Sequence, residues 1–498
     1  MENVSEILLN AAVYSPFAFA LISLLAWNFG GAKTASRLAL ASAIVSLVCG
    51  LCACANFASD AADLAGFFYA KRFWLLPEVA LGGISMPMFA LALIVGFAAT
   101  VYSLSLEIKQ AKLYYLLLLI MQGGIFGAFT AANLLWIYMF HEFALVPTFI
   151  AMLMWGSAGK RVAAMQMAVY LTLGALVSLI GIIGIYACVG AEDFSLAEIS
   201  SRLAVNPVAA NTQHVLFGLL MFGLGTLVSL FPFYTWAPRT YACAPTAFSM
   251  LHAGVLKKFG LFVLIQVAVP ILPFGCEYWA KTLAILALFN VIYIGFVTMA
   301  QRDLKLMVSY SSVGHMGLCF LGIASMSVLG AGGALLLMFG HGLSVALLLM
   351  LSNITCNNTN QWDMNKMGGL YKQTPILAGF FIAGTMASVG LPLSANFWGE
   401  LTILTSLWNF SPTVCALAAT GLIISAIYGL RAVARVFMGE PSAELKPTFD
   451  SVRDITKIER TAAIVLVAGL LFVGVYPKSI TQTADTLLKS FPAYNLGK

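Results

Sequence analysis

Apolar residues in this chain run in long unbroken stretches rather than alternating with polar ones. Stretches of about 20 apolar residues, enough to cross a bilayer core as a helix, lie near 11–29, 36–54, 84–104, 113–131, 133–155, 162–189, 214–235 and 244–272. Six more lie near 279–299, 306–325, 330–352, 375–405, 412–438 and 460–476. The pattern predicts an all-α polytopic membrane protein with about 14 transmembrane helices. It excludes an outer-membrane barrel, whose strands alternate in segments of about ten residues. Two of the helices are interrupted. Pro232, followed by Pro238 and Pro245, breaks the seventh, and Gly390 with Pro392 breaks the twelfth. Proline removes a helical hydrogen bond, and discontinuous helices at matching places in two halves point to an inverted-repeat transporter. The spacing predicts two inverted five-helix units, helices 4–8 and 9–13. The expected divisions are 1–110 for the first three helices, 111–272 and 273–438 for the two units, and 439–498 for a polar loop, a final helix and a tail.

Composition supports a membrane location. Only 9% of the 498 residues are charged and 61% are hydrophobic, against roughly 25% charged in an ordinary globular domain. So few polar side chains cannot cover a soluble fold of this size. The net charge of +6 is not a nucleic-acid footprint, because the basic residues are scattered singly or in pairs. They act instead as a topology signal. Lys33, Arg37, Lys109, Lys112, Lys160, Arg161, Arg239, Arg302, Lys305, Lys366 and Lys372 follow odd-numbered helices, as do Arg431, Arg435, Lys446, Arg453, Lys457 and Arg460. The other side carries Lys71, Arg72, Arg202, Lys281, Lys478, Lys489 and Lys498. The positive-inside rule then places the odd-numbered loops in the cytoplasm and both termini outside a bacterial-type inner (plasma) membrane. The start, MENVSEILLN, lacks the basic n-region of a cleaved signal peptide, so no removal is expected. Most of the nine cysteines lie in apolar stretches, against an extracellular disulfide framework. Cys49, Cys52 and Cys54, in the second helix, read as packing residues rather than metal ligands.

Sorting the charges leaves four inside helices: Glu142 in the fifth, Lys257 and Lys258 in the eighth, and Glu400 in the twelfth. A charge at the bilayer centre costs about 2.5–3.5 kcal/mol on insertion scales, and such residues mark ion or proton pathways. Adjacent helical positions point about 100° apart. Lys257 and Lys258 are therefore expected on different faces, one of them toward a lipid headgroup defect or another subunit. His141, His252, His315 and His341 also lie in apolar sequence, and His214 at a helix end. Imidazoles exchange protons near neutral pH, so these groups together supply what a proton relay requires. No Gly-rich phosphate cradle, metal cluster or nucleophile–base arrangement is present in the loops. No cofactor is expected, and Gly330–Gly333 reads as a packing stretch.

Several segments carry a family resemblance. HEFALVPTFIAMLMWG at 141–156 resembles the fifth-helix motif of the antiporter-like subunits of respiratory complex I. FPFYTWAPRTYACAPTAFSMLHAGVLKKFG at 231–260 is similar to their seventh and eighth helices. QRDLKLMVSYSSVGHMG at 301–317, FGHGLS at 339–344 and LPLSANFWGELTIL at 391–404 resemble the tenth, eleventh and twelfth. The resemblance covers about 85–455, and length and helix count fit the subunit M members. It implies a proton-translocating membrane-arm subunit of an NADH:quinone oxidoreductase, with redox chemistry in partner subunits. It implies Glu142 as the fifth-helix glutamate, Lys258 as the central lysine, His341 as the link between halves, Glu400 as the exit residue, and Lys305 as the lysine of the D-L-K segment. One departure stands out. The family's seventh-helix lysine is missing, Leu227 occupies its place, and Lys257 is an extra lysine one helix away. Readings that share these motifs are a subunit of an Mrp-type sodium/proton antiporter or membrane-bound hydrogenase, and a scaffold paralogue impaired in transport.

Overall fold

A computed structural model describes residues 2–28, 30–59, 68–70 and 76–494. Lys71, Arg72 and Lys498, used above for topology, lie outside the described residues. Among the described residues, thirteen helices are long and apolar enough to span a membrane. In order they are Val4–Leu25, Ala32–Ala58, Ser85–Ser103, Ala111–Thr130, Leu134–Trp155, Lys160–Val189, Ala210–Val228, Thr246–Ile271, Pro273–Ala300, Leu304–Ala324, Val328–Thr359, Pro412–Phe437 and Lys457–Val475. The expected twelfth helix is split into Pro375–Ser388 and Ala395–Phe410, which completes fourteen spans. They are numbered below by this order, with Pro412–Phe437 thirteenth and Lys457–Val475 fourteenth.

The eleventh span outruns its apolar stretch by two turns, into polar residues 353–359. The reason is local. Thr355 and Thr359 donate their hydroxyls to the carbonyls of Leu351 and Thr355, both at 2.8 Å, so these side chains satisfy themselves against the helix. Starts are set by capping side chains: Asn133 accepts from the Leu135 and Trp136 N–H groups, and Asp303 from that of Leu306. Among groups outside the spans, the Asp303 carboxyl is pushed up by burial, with the Leu306 N–H opposing.

Burial separates the centre from the rim. The most apolar window of the eleventh span is wholly buried, whereas that of the thirteenth is only 28% buried. The eleventh and eighth spans thus form the core, and the thirteenth lies at the rim with most of its surface facing outward. The two five-helix sets repeat one pattern of neighbours. The fourth span packs on the fifth as the ninth packs on the tenth. The sixth packs on both pieces of the seventh, as the eleventh does on both halves of the twelfth. An odd number of crossings per unit makes the second unit run opposite to the first, which is the inverted arrangement.

Both breaks are where proline and glycine punctuation places them. The seventh span ends at Val228, passes through Ser229 at φ 69°, and resumes as Trp236–Cys243. Exposed backbone in a bilayer must find partners in protein. Here the buried Asn290 of the ninth span supplies them, accepting from the Phe231 N–H at 2.6 Å and donating to the Ser229 carbonyl at 2.8 Å. The twelfth span breaks through Gly390 and Leu393, both with positive φ.

The polar loop before the fourteenth span also has a structural task. Asp454 accepts from the N–H groups of Ile376 and Leu377, each at 2.9 Å, so it caps the start of the twelfth span. Replacing Asp454 with Ala removes a carboxylate cap, worth about 1–2 kcal/mol. The expected result is a lower thermal midpoint of the detergent-solubilised protein. An unchanged midpoint would show that the loop merely lies near the helix. Beyond the fourteenth span, Lys478–Lys489 forms a surface helix. Ile480, Ala484, Leu487 and Leu488 recur at helical spacing, are buried, and face the eleventh span.

Candidate proton-relay site

Side chains with ionisable or hydroxyl groups collect along the interior of the second unit and its junction with the first. At the flank, His141 and Glu142 sit on the fifth span with His141 Nδ1 3.4 Å from Glu142 Oε1. Glu142 is the one expected site residue left partly open, its side chain 29% exposed against 4% for His141. Helical periodicity explains this: position 142 borders the outward stripe of Met139, Phe143 and Val146, whereas 141 and 145 point inward. The His141 ring stacks on Phe259 of the eighth span at 4.4 Å between centroids, which brings the fifth span against the lysine region.

The eighth span is not a continuous α-helix. It runs as α-helix through Thr246–Gly254, tightens to a 3-10 turn at Leu256–Lys258, and widens to a π-helical stretch at Leu264–Ala268. Such irregularities cluster at functional positions. Both Lys257 and Lys258 are buried. The expectation that one of them faces lipid or another subunit is therefore corrected, because this span is enclosed on all sides and offers no outer face near the lysines. Lys258 Nζ donates to the Ala253 carbonyl at 2.5 Å. Lys257 Nζ lies 5.4 Å above the Tyr241 ring and 3.5 Å from Ser312 Oγ.

From Ser312 the row continues. His341 Nε2 of the eleventh span is 3.0 Å from Ser312 Oγ. Its ring stacks on that of His315, 4.8 Å between centroids and 15° from parallel. His315 Nε2 in turn lies 4.0 Å from Glu400 Oε1. Glu400 rests against the backbone of the twelfth-span break, where Gly390 has no side chain to displace it. Two cavities of about 20 Å³ are both bounded by Ser311 and Tyr428, and one of them also by His315. Each has room for roughly one water. His252 Nδ1, His341 Nδ1, Asn396 Oδ1 and Glu400 Oε1 are buried without a protein hydrogen-bond partner.

Of the residues named from sequence, Lys258, His341 and Glu400 thus fall in one region, and Glu142 approaches it through His141. Lys305 does not join them. It is buried at the start of the tenth span with Nζ 3.4 Å from the Ala244 carbonyl. Ten residues of helix separate it from His315, about 15 Å. Sequence reasoning overlooked Ser312, which joins Lys257 to His341. The available signal was spacing: Ser311 stands four residues before His315 and Ser312 three, so each neighbours His315 along the tenth span. Asn290 was overlooked too. Among the described residues no group of three or more His, Cys, Asp or Glu is placed to hold a metal ion. Cys49, Cys52 and Cys54 are free thiols.

Comparison with known proteins identifies the family. Residues 131–425 match the family described as NADH:quinone oxidoreductase/Mrp antiporter, transmembrane. The chain is 34% identical over 431 residues to NAD(P)H-quinone oxidoreductase chain 4 1 of Synechococcus sp. (strain JA-3-3Ab), covering 84% of this chain and 80% of that protein. It is 30% identical over 418 residues to NADH-quinone oxidoreductase subunit M of Rickettsia felis, covering 83% of each. Its fold is similar to a chain of respiratory complex I from Thermus thermophilus, with TM-score 0.84 and 25% identity over 97% of this chain and 99% of the other. The chain belongs to the NADH:quinone oxidoreductase/Mrp antiporter family, as a multi-pass, antiporter-like membrane subunit of the complex I subunit M type.

Proposed function

We propose that this chain moves protons across a bacterial-type inner membrane, with both termini on the outer side, as one membrane-arm subunit of a redox-driven assembly. The observation that carries this reading is the buried row from Lys257 through Ser312 to His341, with His315 stacked between His341 and Glu400, so that the irregular eighth span and the broken twelfth meet across short distances. In this reading the Lys257–Lys258 pair loads the row, His341 passes the proton on, and Glu400 releases it. Glu142, at the flank, reaches the row through His141. Lys305 holds the junction between the seventh and eighth spans. The units 111–272 and 273–438 act as two half-channels, with 1–110 and 439–498 bracing them. A proton moved against ~100 mV needs about 2.3 kcal/mol, so electron transfer in partner subunits supplies the drive.

The test is ion-specific. In sealed inverted vesicles carrying the assembly, NADH oxidation is expected to acidify the interior equally in sodium-free and sodium-containing buffer. Sodium uptake that a protonophore abolishes would overturn the proton assignment in favour of a sodium/proton antiporter, and uptake that survives it in favour of a primary sodium pump. A scaffold reading has one observation in its favour: no lysine occurs between Lys160 and Lys257, and Leu227 is buried in the seventh span. Cutting the row distinguishes the two. Glu400→Gln lowers the proton-to-electron ratio if this chain pumps, whereas a scaffold has no contribution from this chain to lose.

A further inference from the structure

His315 is held differently from every other histidine in the chain. Its Nδ1 lies 2.8 Å from the Ser311 carbonyl and its Nε2 2.8 Å from the Ser388 carbonyl. A carbonyl oxygen can only accept, and a neutral imidazole has a single N–H. Two such contacts at once are both hydrogen bonds only if both ring nitrogens carry a proton. Turning the ring over would aim C–H groups at the two oxygens and lose both bonds.

The Ser388 carbonyl is available for a physical reason. Four residues on stands Pro392, which has no N–H to close the helical bond. Ser388 is also the last residue of Pro375–Ser388, and unpaired carbonyls at a helix C-terminus carry partial negative charge that favours a cation. The groups facing His315 from neighbouring spans are Glu400 of the twelfth, His341 of the eleventh, Tyr428 of the thirteenth, and Lys257 and Lys258 of the eighth. Glu400 is the sole carboxylate among them, at 4.0 Å.

We propose that His315 is a fixed imidazolium, clamped by the Ser311 and Ser388 carbonyls, which positions and holds the charge of Glu400 and does not itself carry protons. A shuttling histidine must take a proton on one nitrogen and release it from the other, and neither carbonyl can donate or receive one. His341 has the opposite character: Nε2 meets a hydroxyl that both donates and accepts, and Nδ1 is free of protein partners. The two stacked rings thus divide the work, one as counter-charge and one as carrier. The break in the twelfth span gains a purpose as well, since it presents the carbonyl that fixes the counter-charge beside the release residue. The functional half of this inference rests on the reading of Glu400 as that residue.

The charge state can be read without pumping. Nitrogen NMR of the assembled complex labelled at histidine, as a difference between wild type and His315→Gln, is expected to show both His315 nitrogens protonated at about pH 7. A neutral ring at pH about 7 overturns the proposal and leaves the relay standing. Pumping gives the second arm. His315→Gln, without charge, is expected to lower the proton-to-electron ratio. His315→Arg keeps a charge that cannot be given up and is expected to restore at least half of the loss. If arginine assembles but pumps no better than glutamine, the proton on His315 is mobile and the proposal fails. Should arginine not assemble, His315→Lys is judged in the same way, together with the NMR result. Undiminished pumping in a Glu400→Gln variant, by contrast, would sink the relay and leave the clamped imidazolium detectable.

Discussion

Glutamine in place of Glu400 is expected to slow proton transfer through this chain on the order of a hundredfold, the scale of a lost acid–base group, with assembly intact. Glutamine is nearly isosteric, so the contact with the Gly390 backbone survives. The residue is 4% exposed and one carboxylate oxygen has no protein hydrogen-bond partner. Removing its ability to ionise lifts a desolvation cost, and the fold should therefore not suffer. The measurement is the proton-to-electron ratio in sealed vesicles, alongside the amount of this chain in the purified assembly. A wild-type ratio with normal incorporation would eliminate Glu400 as the release residue.

The second large effect is expected at the lysine pair. Methionine at Lys258 keeps a long flexible stem but removes the ammonium that donates to the Ala253 carbonyl. Methionine at Lys257 breaks the 3.5 Å contact to Ser312. Each change should reduce translocation through this chain by about tenfold or more, since no other ionisable group takes over the loading step. Replacing a buried charge by an apolar side chain of similar volume is often neutral or stabilising, so incorporation should hold. The comparison between them is informative. Equal losses mean that protons reach His341 through Lys257 and Ser312. Loss at Lys258 alone means that the Lys257 contact is bypassed. Full activity of Lys258→Met would remove the loading site from the relay.

The relation of these two sites to the sequence differs. Glu400, Lys258 and Glu142 were identifiable at once, because a charge in an apolar run is costly wherever the helix sits. The shape of the site was not. Ser312 and Asn290 are small polar residues of a kind that recurs in many spans. Their importance depends on what stands opposite, 55 residues away for Ser312 and Lys257 and 61 for Asn290 and Ser229. The inward direction of both lysines was missed for a related reason. An ideal helix separates neighbours by about 100°, but here a 3-10 turn falls at these residues and protein encloses the span. Lys305, which the resemblance marked only as the lysine of the D-L-K segment, lies beside the Ala244 carbonyl at the start of the tenth span, about three turns of helix from His315.

The amino-acid sequence alone determined the membrane location, the fourteen spans and the two breaks. Each follows from local rules: the length of an apolar run against the bilayer core, and the hydrogen bond that proline cannot make. The tertiary structure decided what those elements do together. It turned Lys257 inward, left Glu142 at the flank, satisfied the seventh-span break with Asn290, and set His315 between two carbonyls beside Glu400. These outcomes depend on contacts between residues far apart in the chain, whose geometry arises only when the helices pack, and no periodicity within one helix encodes them.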